Sequence, residues 1–84
     1  MPPYQERFPV GTRVRIANRA ALESFIAAWH LHNPLHPDQL AFAGTTTLVR
    51  SVGFYHGGDL LYELDHVAGI WHEELLLEFS DRAT

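Results

Sequence analysis

The residues of this chain with the most chemistry to offer are its histidines and the carboxylates near them. Six histidines, His30, His32, His36, His56, His66 and His72, occur in 84 residues. Imidazole is the commonest transition-metal ligand, and three of them with a carboxylate such as Asp59 or Glu73 would suit zinc or iron. The spacing argues against a metal centre. His30 and His32 would diverge on a helix, His32 and His36 flank a proline, and His66 and His72 fall on separate turns; neither an HExxH pattern nor a His/Cys set is present. With no cysteine the chain has no disulfide, no thiolate nucleophile and no cysteine-held zinc. No metal or cofactor is expected.

Acid–base catalysis is the second chemistry to weigh. His56, Asp59, His72, Glu73 and Glu74 can form a histidine oriented by a carboxylate, with Tyr55 or Tyr62 as a donor. A nucleophile in a recognisable turn, a phosphate-cradling loop and a cofactor fingerprint are all lacking. The stretch VGFYHGGDLLYEL, Val52 to Leu64, reads more simply as a hairpin. Its glycine pair supplies the positive φ that tight turns need, and Asp59 accepts a backbone hydrogen bond there. Recognition is then the expected role, on a surface of Tyr55, His56, Asp59, Trp71, His72 and Glu73 whose rings anchor a protein partner. Core packing is the competing fate of Phe54 and Trp71. A small metal-dependent or acid–base enzyme using His56, His72 and Glu73, and a small acidic inhibitor of a larger assembly, are the alternatives.

These side chains need elements to hold them. Val14 and Ile16 alternate with Arg13 and Arg15, which predicts a first strand with valine and isoleucine inward and the arginines outward. Asn18 is placed to cap a helix over 19–30, whose Leu22, Phe25, Ile26 and Trp29 form one apolar stripe. Pro34 stops it, and Pro37 can open a short helical turn containing Leu40. The β-branched and aromatic run 45–55 predicts a second strand, with Leu48, Val52 and Phe54 on one face and Val49 and Tyr55 on the other. After it come a strand at 60–64, a turn at 65–69 and a last strand over 70–79, broken by one helical turn at 73–76.

Such short strands, joined by turns roughly every 8 to 12 residues, suggest a mainly β fold with one helix: a small, partly open five-stranded barrel with the helix inserted after the first strand. An open antiparallel sheet with the helix stripe laid on it is the alternative. The chain is long enough for a single domain over 1–84, with residues 1–8 extended or frayed because of Pro2 and Pro3.

Charge narrows the partners. Ten acidic residues against six arginines give a net charge of −4, and the arginines are scattered along the sequence, so nucleic acid is not expected. The acidic end, Glu73, Glu74, Glu78 and Asp81, would be repelled by anionic lipid, and neither a leader nor a spanning apolar run is seen. A cytoplasmic protein with a protein partner is the expectation, its oligomeric state open.

The frame VGTRVRI at 10–16, a long connection, GTTTLVRSV at 44–52, LYEL at 61–64 and IWHEELL at 70–76 resembles the SH3-like barrel of nitrile hydratase beta subunits and small bacterial relatives. The resemblance spans about residues 8 to 79 and implies a partly open five-stranded barrel serving structure and interface. In that family the metal is held by cysteines of the alpha subunit, so nothing of the metal site carries over to this cysteine-free chain. The peptide-binding SH3 domains are a fainter likeness, because a helix stands where their first recognition loop should be.

Overall fold

A computed structural model of the protein describes residues 6–31, 33–54 and 60–79. It is mainly β: strands β1 (Arg13–Ile16), β2 (Thr46–Phe54), β3 (Leu60–Leu64), β4 (Val67–His72) and β5 (Leu76–Glu78), with helix α1 (Arg19–Ala28) after β1. The strands form one antiparallel sheet in the order β4-β3-β2-β1-β5. That sheet is not closed into a barrel: β4 and β5 end it, and no ladder among the described residues joins them.

Strand β1 follows the alternation in its sequence. Val14 and Ile16 are fully buried, and Arg13 and Arg15 are exposed. Helix α1 begins at Asn18, whose Oδ1 accepts the Ala21 N–H at 2.8 Å, satisfying one of the donors a helix start leaves unpaired. It buries Leu22 and Phe25 in the core, with Ile26 and Trp29 packed at its border. The helix ends at Ala28, two residues before the end predicted for it, because Trp29 turns extended as its N–H closes the last turn on the Phe25 carbonyl. Pro37 opens a 3₁₀ turn, Pro37–Phe42, as its fixed φ favours.

Strand β2 serves both halves of the sheet. Its first residues pair with β1 (Leu48 with Arg13, Thr46 with Arg15), and from Val49 onward it pairs with β3 (Val49 with Leu64, Val52 with Tyr62, Phe54 with Leu60). Between Val49 and Ser51 the register slips by one residue, a β-bulge at Arg50. The bulge corrects the face assignment made from simple alternation. Without it Val49 and Val52 would face opposite ways; with it both reach the core, while Leu48 and Arg50 are exposed.

The pairing of Phe54 with Leu60 establishes the predicted chain reversal between β2 and β3. Residues 55–59, which include the paired glycines, lie outside the described residues. The next reversal is tighter than the sequence suggests. Only Asp65 and His66 separate Leu64 from its partner Val67, with His66 at φ 59°. This turn is docked on β2: Thr47 Oγ1 donates to the Asp65 carbonyl at 2.6 Å, and the Asp65 N–H donates to the Leu48 carbonyl at 3.0 Å. The helical turn predicted near 73–76 is present as a 3₁₀ turn over Glu73–Leu75, and it carries the chain from β4 to β5.

Gly69, inside β4, belongs to the strand rather than to the turn. At φ +100° it adopts a conformation natural only for glycine, and a Cβ there would come within 2.7 Å of Gln39 Nε2. Gln39 cannot easily move aside. It is buried, its Oε1 accepts the His36 N–H at 2.9 Å, and its Nε2 donates to the Ile70 carbonyl at 3.1 Å. Gly69→Ala should therefore cost about 1–3 kcal/mol of unfolding free energy, through combined backbone strain and overpacking. Chemical denaturation would measure this, and the Gly69→Ala/Gln39→Ala double variant should show a smaller loss than the sum of the single ones.

Candidate functional site

Three of the six residues proposed from sequence as a recognition surface, Tyr55, His56 and Asp59, lie outside the described residues. The other three are consecutive, and the structure gives each a different place. Trp71 is completely buried on the core side of β4, opposite Tyr62 and edge-on to Phe42 with ring centroids 6.4 Å apart. A side chain so enclosed packs the interior rather than meeting a partner. Its neighbour in sequence, His72, is also buried, at 4% exposure. Glu73 begins the 3₁₀ turn and is half-buried.

His72 packs against two stacked aromatic rings at the end of the helix. Its imidazole centroid is 4.8 Å from those of both Phe25 and Trp29, which themselves stack at 5.3 Å. The Nε2–H donates to the Asn33 carbonyl at 2.8 Å, since a carbonyl can only accept. Asn33 sits at φ 57°, a left-handed conformation that asparagine tolerates better than most residues. The histidine therefore fixes the end of the helix and the following connection onto β4.

Glu73 holds the opposite segment of the chain. One carboxylate oxygen, Oε2, accepts the Tyr62 hydroxyl at 2.5 Å and the Arg7 N–H at 2.9 Å, and the Tyr62 hydroxyl oxygen accepts the Phe8 N–H at 3.4 Å. Phe8 is buried at 2% exposure, its ring edge-on to Tyr62 at 5.9 Å. Arg7 and Phe8 are thus docked; of the segment expected to be extended or frayed, residues 1–5 lie outside the described residues. Burial pushes the Tyr62 phenol well above its usual range, and the Glu73 carboxylate at its hydroxyl pushes it further, because both favour the neutral form.

Taken as a catalytic set these groups are poorly disposed. His72 and Glu73, adjacent in sequence, make their hydrogen bonds with different neighbours: the imidazole with Asn33, the carboxylate with Tyr62 and Arg7. His30, His36 and His66 are exposed, His32 lies outside the described residues, and no group of three or more metal-ligating side chains forms among the described residues. An open groove of about 370 Å³ runs beside Asn33, Pro34, His36, Gln39, Gly69 and Ile70. A second, of about 430 Å³, lies along Ala21, Phe25, Trp29 and Glu74. Neither brings together a histidine and a carboxylate.

Sequence reasoning missed the residues that complete these contacts. Asn33 and Arg7 act through backbone atoms, which any side chain could supply, and Gln39 carries no pattern of its own. The exposed face of β1 was visible as Arg13 and Arg15. Its continuation was not, because Leu48 and Leu77 join it only through strand pairing. Comparison with known protein families, with characterised proteins and with solved structures finds no match.

Two outcomes follow from the Tyr62–Glu73 contact. The folded phenol holds its proton to higher pH than the unfolded one, so its contribution is complete below about pH 10 and is lost as pH rises beyond that, by up to about 1.4 kcal/mol per pH unit while only the unfolded phenol is ionised. Alkaline melts should show this fall, and Tyr62→Phe should abolish that part of it. At neutral pH Glu73→Gln, which exchanges a charged acceptor for a neutral one, should cost about 1–3 kcal/mol by denaturant titration.

Proposed function

We propose that the chain is a non-enzymatic interaction module, a small accessory subunit that works through contact with another protein. What carries this reading is the use made of His72 and Glu73. Of the three residues assigned to the enzyme alternative, the two described, His72 and Glu73, make their hydrogen bonds within the fold, one fastening the connection after the helix and the other the segment before β1. A general base needs a lone pair facing substrate. Here the Glu73 oxygen that accepts the Tyr62 hydroxyl also accepts a backbone N–H, while the imidazole is walled by Phe25 and Trp29.

The partner we propose is a protein rather than nucleic acid or a membrane. The net charge of −4 supports this, and no described helix is long and apolar enough to cross a bilayer. Kinship with the SH3-like barrels belongs to the same proposal, supported by five antiparallel strands and a helix inserted between the first two.

The reading is tested by changing Glu73. Affinity capture with the immobilised chain, at a temperature where each variant is folded, should retain one stoichiometric protein in both the parent and Glu73→Gln. Metal analysis of untagged protein purified without added metal should find zinc and iron well below stoichiometry. Stoichiometric zinc or iron that disappears in Glu73→Gln would move the chain to the enzyme class.

A further inference from the structure

The outer face of β5-β1-β2 is unlike the rest of the molecule in both charge and polarity. Strand pairing sets Leu77, Arg15 and Thr46 side by side, and places Arg13 next to Leu48 in the adjoining row. Phe79 extends the first edge, its N–H donating to the Arg13 carbonyl at 3.2 Å and its ring lying 4.9 Å beneath the Arg15 guanidinium. Arg50, exposed at the bulge, follows Leu48 on β2, and the exposed Val10 precedes Gly11, whose N–H donates to the Val49 carbonyl.

Large apolar side chains are unusually open here. Leu77 is 51% exposed, Val10 65% and Leu48 38%. These are three of the five exposed large hydrophobics among the described residues. Directly opposed side chains on neighbouring strands lie about 5 Å apart, so the leucines and arginines form one continuous surface.

The charge on this surface runs against the balance of the chain. Three of six arginines, Arg13, Arg15 and Arg50, occupy one sheet face of a protein whose net charge is −4. Among the described residues Arg19 is ion-paired with Glu23 at 2.9 Å, whereas Arg15 and Arg50 have no carboxylate partner. The nearest acids are Glu63, which receives the Ser51 hydroxyl at 2.7 Å, Asp65, whose N–H donates to the Leu48 carbonyl, and Glu78, which pairs with Val14 and so alternates with Leu77 along β5. The guanidinium of Arg15, held 4.9 Å over the Phe79 ring, is positioned by that contact, and its N–H groups can receive carboxylates.

Resting on the reading of the chain as an interaction module, we infer that this face is its docking surface and that the occupant is an acidic protein segment carrying apolar side chains. The carboxylates of such a segment would meet Arg15 and Arg50, and its apolar side chains would cover Leu77, Leu48 and Val10. Charge complementarity selects acidity, since a basic or neutral segment would leave Arg15 and Arg50 desolvated without a carboxylate. The exposed leucines select a protein over nucleic acid, whose phosphates have no use for them.

Selection of random displayed peptides of about twelve residues on the folded full-length chain tests this. Enriched sequences should combine Asp or Glu with Leu, Ile or Phe. Their binding should weaken with added salt and fall about tenfold or more in Arg15→Glu and in Leu77→Asn. Arg19→Glu, which changes net charge by the same amount outside the face, should leave it within about twofold. Thermal melts confirm that each variant is folded, and Arg50→Glu gives the same reading if Arg15→Glu is lost with its Phe79 contact. Peptides that bind the face variants as well as the parent, or that are basic, would overturn this inference while leaving the interaction-module reading intact. A labelled single-stranded oligonucleotide that binds more tightly than every selected peptide would overturn the protein partner itself.

Discussion

The single-residue bulge at Arg50 is the constraint on which the rest of the sheet depends. A nine-residue strand with strict alternation could offer its apolar side chains to one core face only, yet β2 must complete the ladder of β1 and then that of β3. The extra residue lets Val49 and Val52, three apart, contribute to the same interior, against Leu64 and Tyr62. It also leaves Leu48 and Arg50 outside. The bulge thus brings Val52 to the same interior as Val49, while Arg13 and Arg15 face outward through the alternation of β1.

Around that sheet the polar side chains are used as fasteners. The chain is small enough to hide only about 60% of its unfolded surface, and its stability should be of the order of 4–13 kcal/mol. Segments without regular structure have to be held by a few well-placed contacts. Gln39 ties the 3₁₀ turn to β4, His72 ties the end of the helix to β4, and Glu73 with Tyr62 ties residues 7 and 8 over β3. Each satisfies a buried or half-buried polar group that would otherwise cost free energy, so each is explained by folding alone. Trp71 Nε1, by contrast, has no hydrogen-bond partner among the described residues.

This division of labour shapes the functional reading. His72 and Glu73, which suggest chemistry in the sequence, are drawn inward to secure the fold, while the outer face of β5-β1-β2 is built from leucine and arginine, which recognise rather than react. A docking role needs only that such a surface be rigid. The register of β1 between β2 and β5 supplies this, with the Arg15–Phe79 stack holding one guanidinium in place.

Much of the architecture was legible in the sequence because it rests on local physics. Alternation over Arg13–Ile16 marks a strand, Asn18 before an apolar stripe marks a helix start, and Pro37 marks a turn; each signal lies within a few residues of the structure it specifies. The bulge, the docking of Phe8 and the positive φ of Gly69 were not legible, since each is decided by a partner far along the chain: Leu64, Tyr62 and Gln39. The fate of Trp71 and His72 depends on which side of β4 receives the helix, and a sequence carries no direct record of that. By itself, then, the sequence determined the element types, their order and the overall charge, all properties of neighbouring residues. Tertiary structure alone decided which polar groups are enclosed and which arginines stand together, because strand pairing brings distant residues within about 5 Å of one another and so creates surfaces that no local pattern contains.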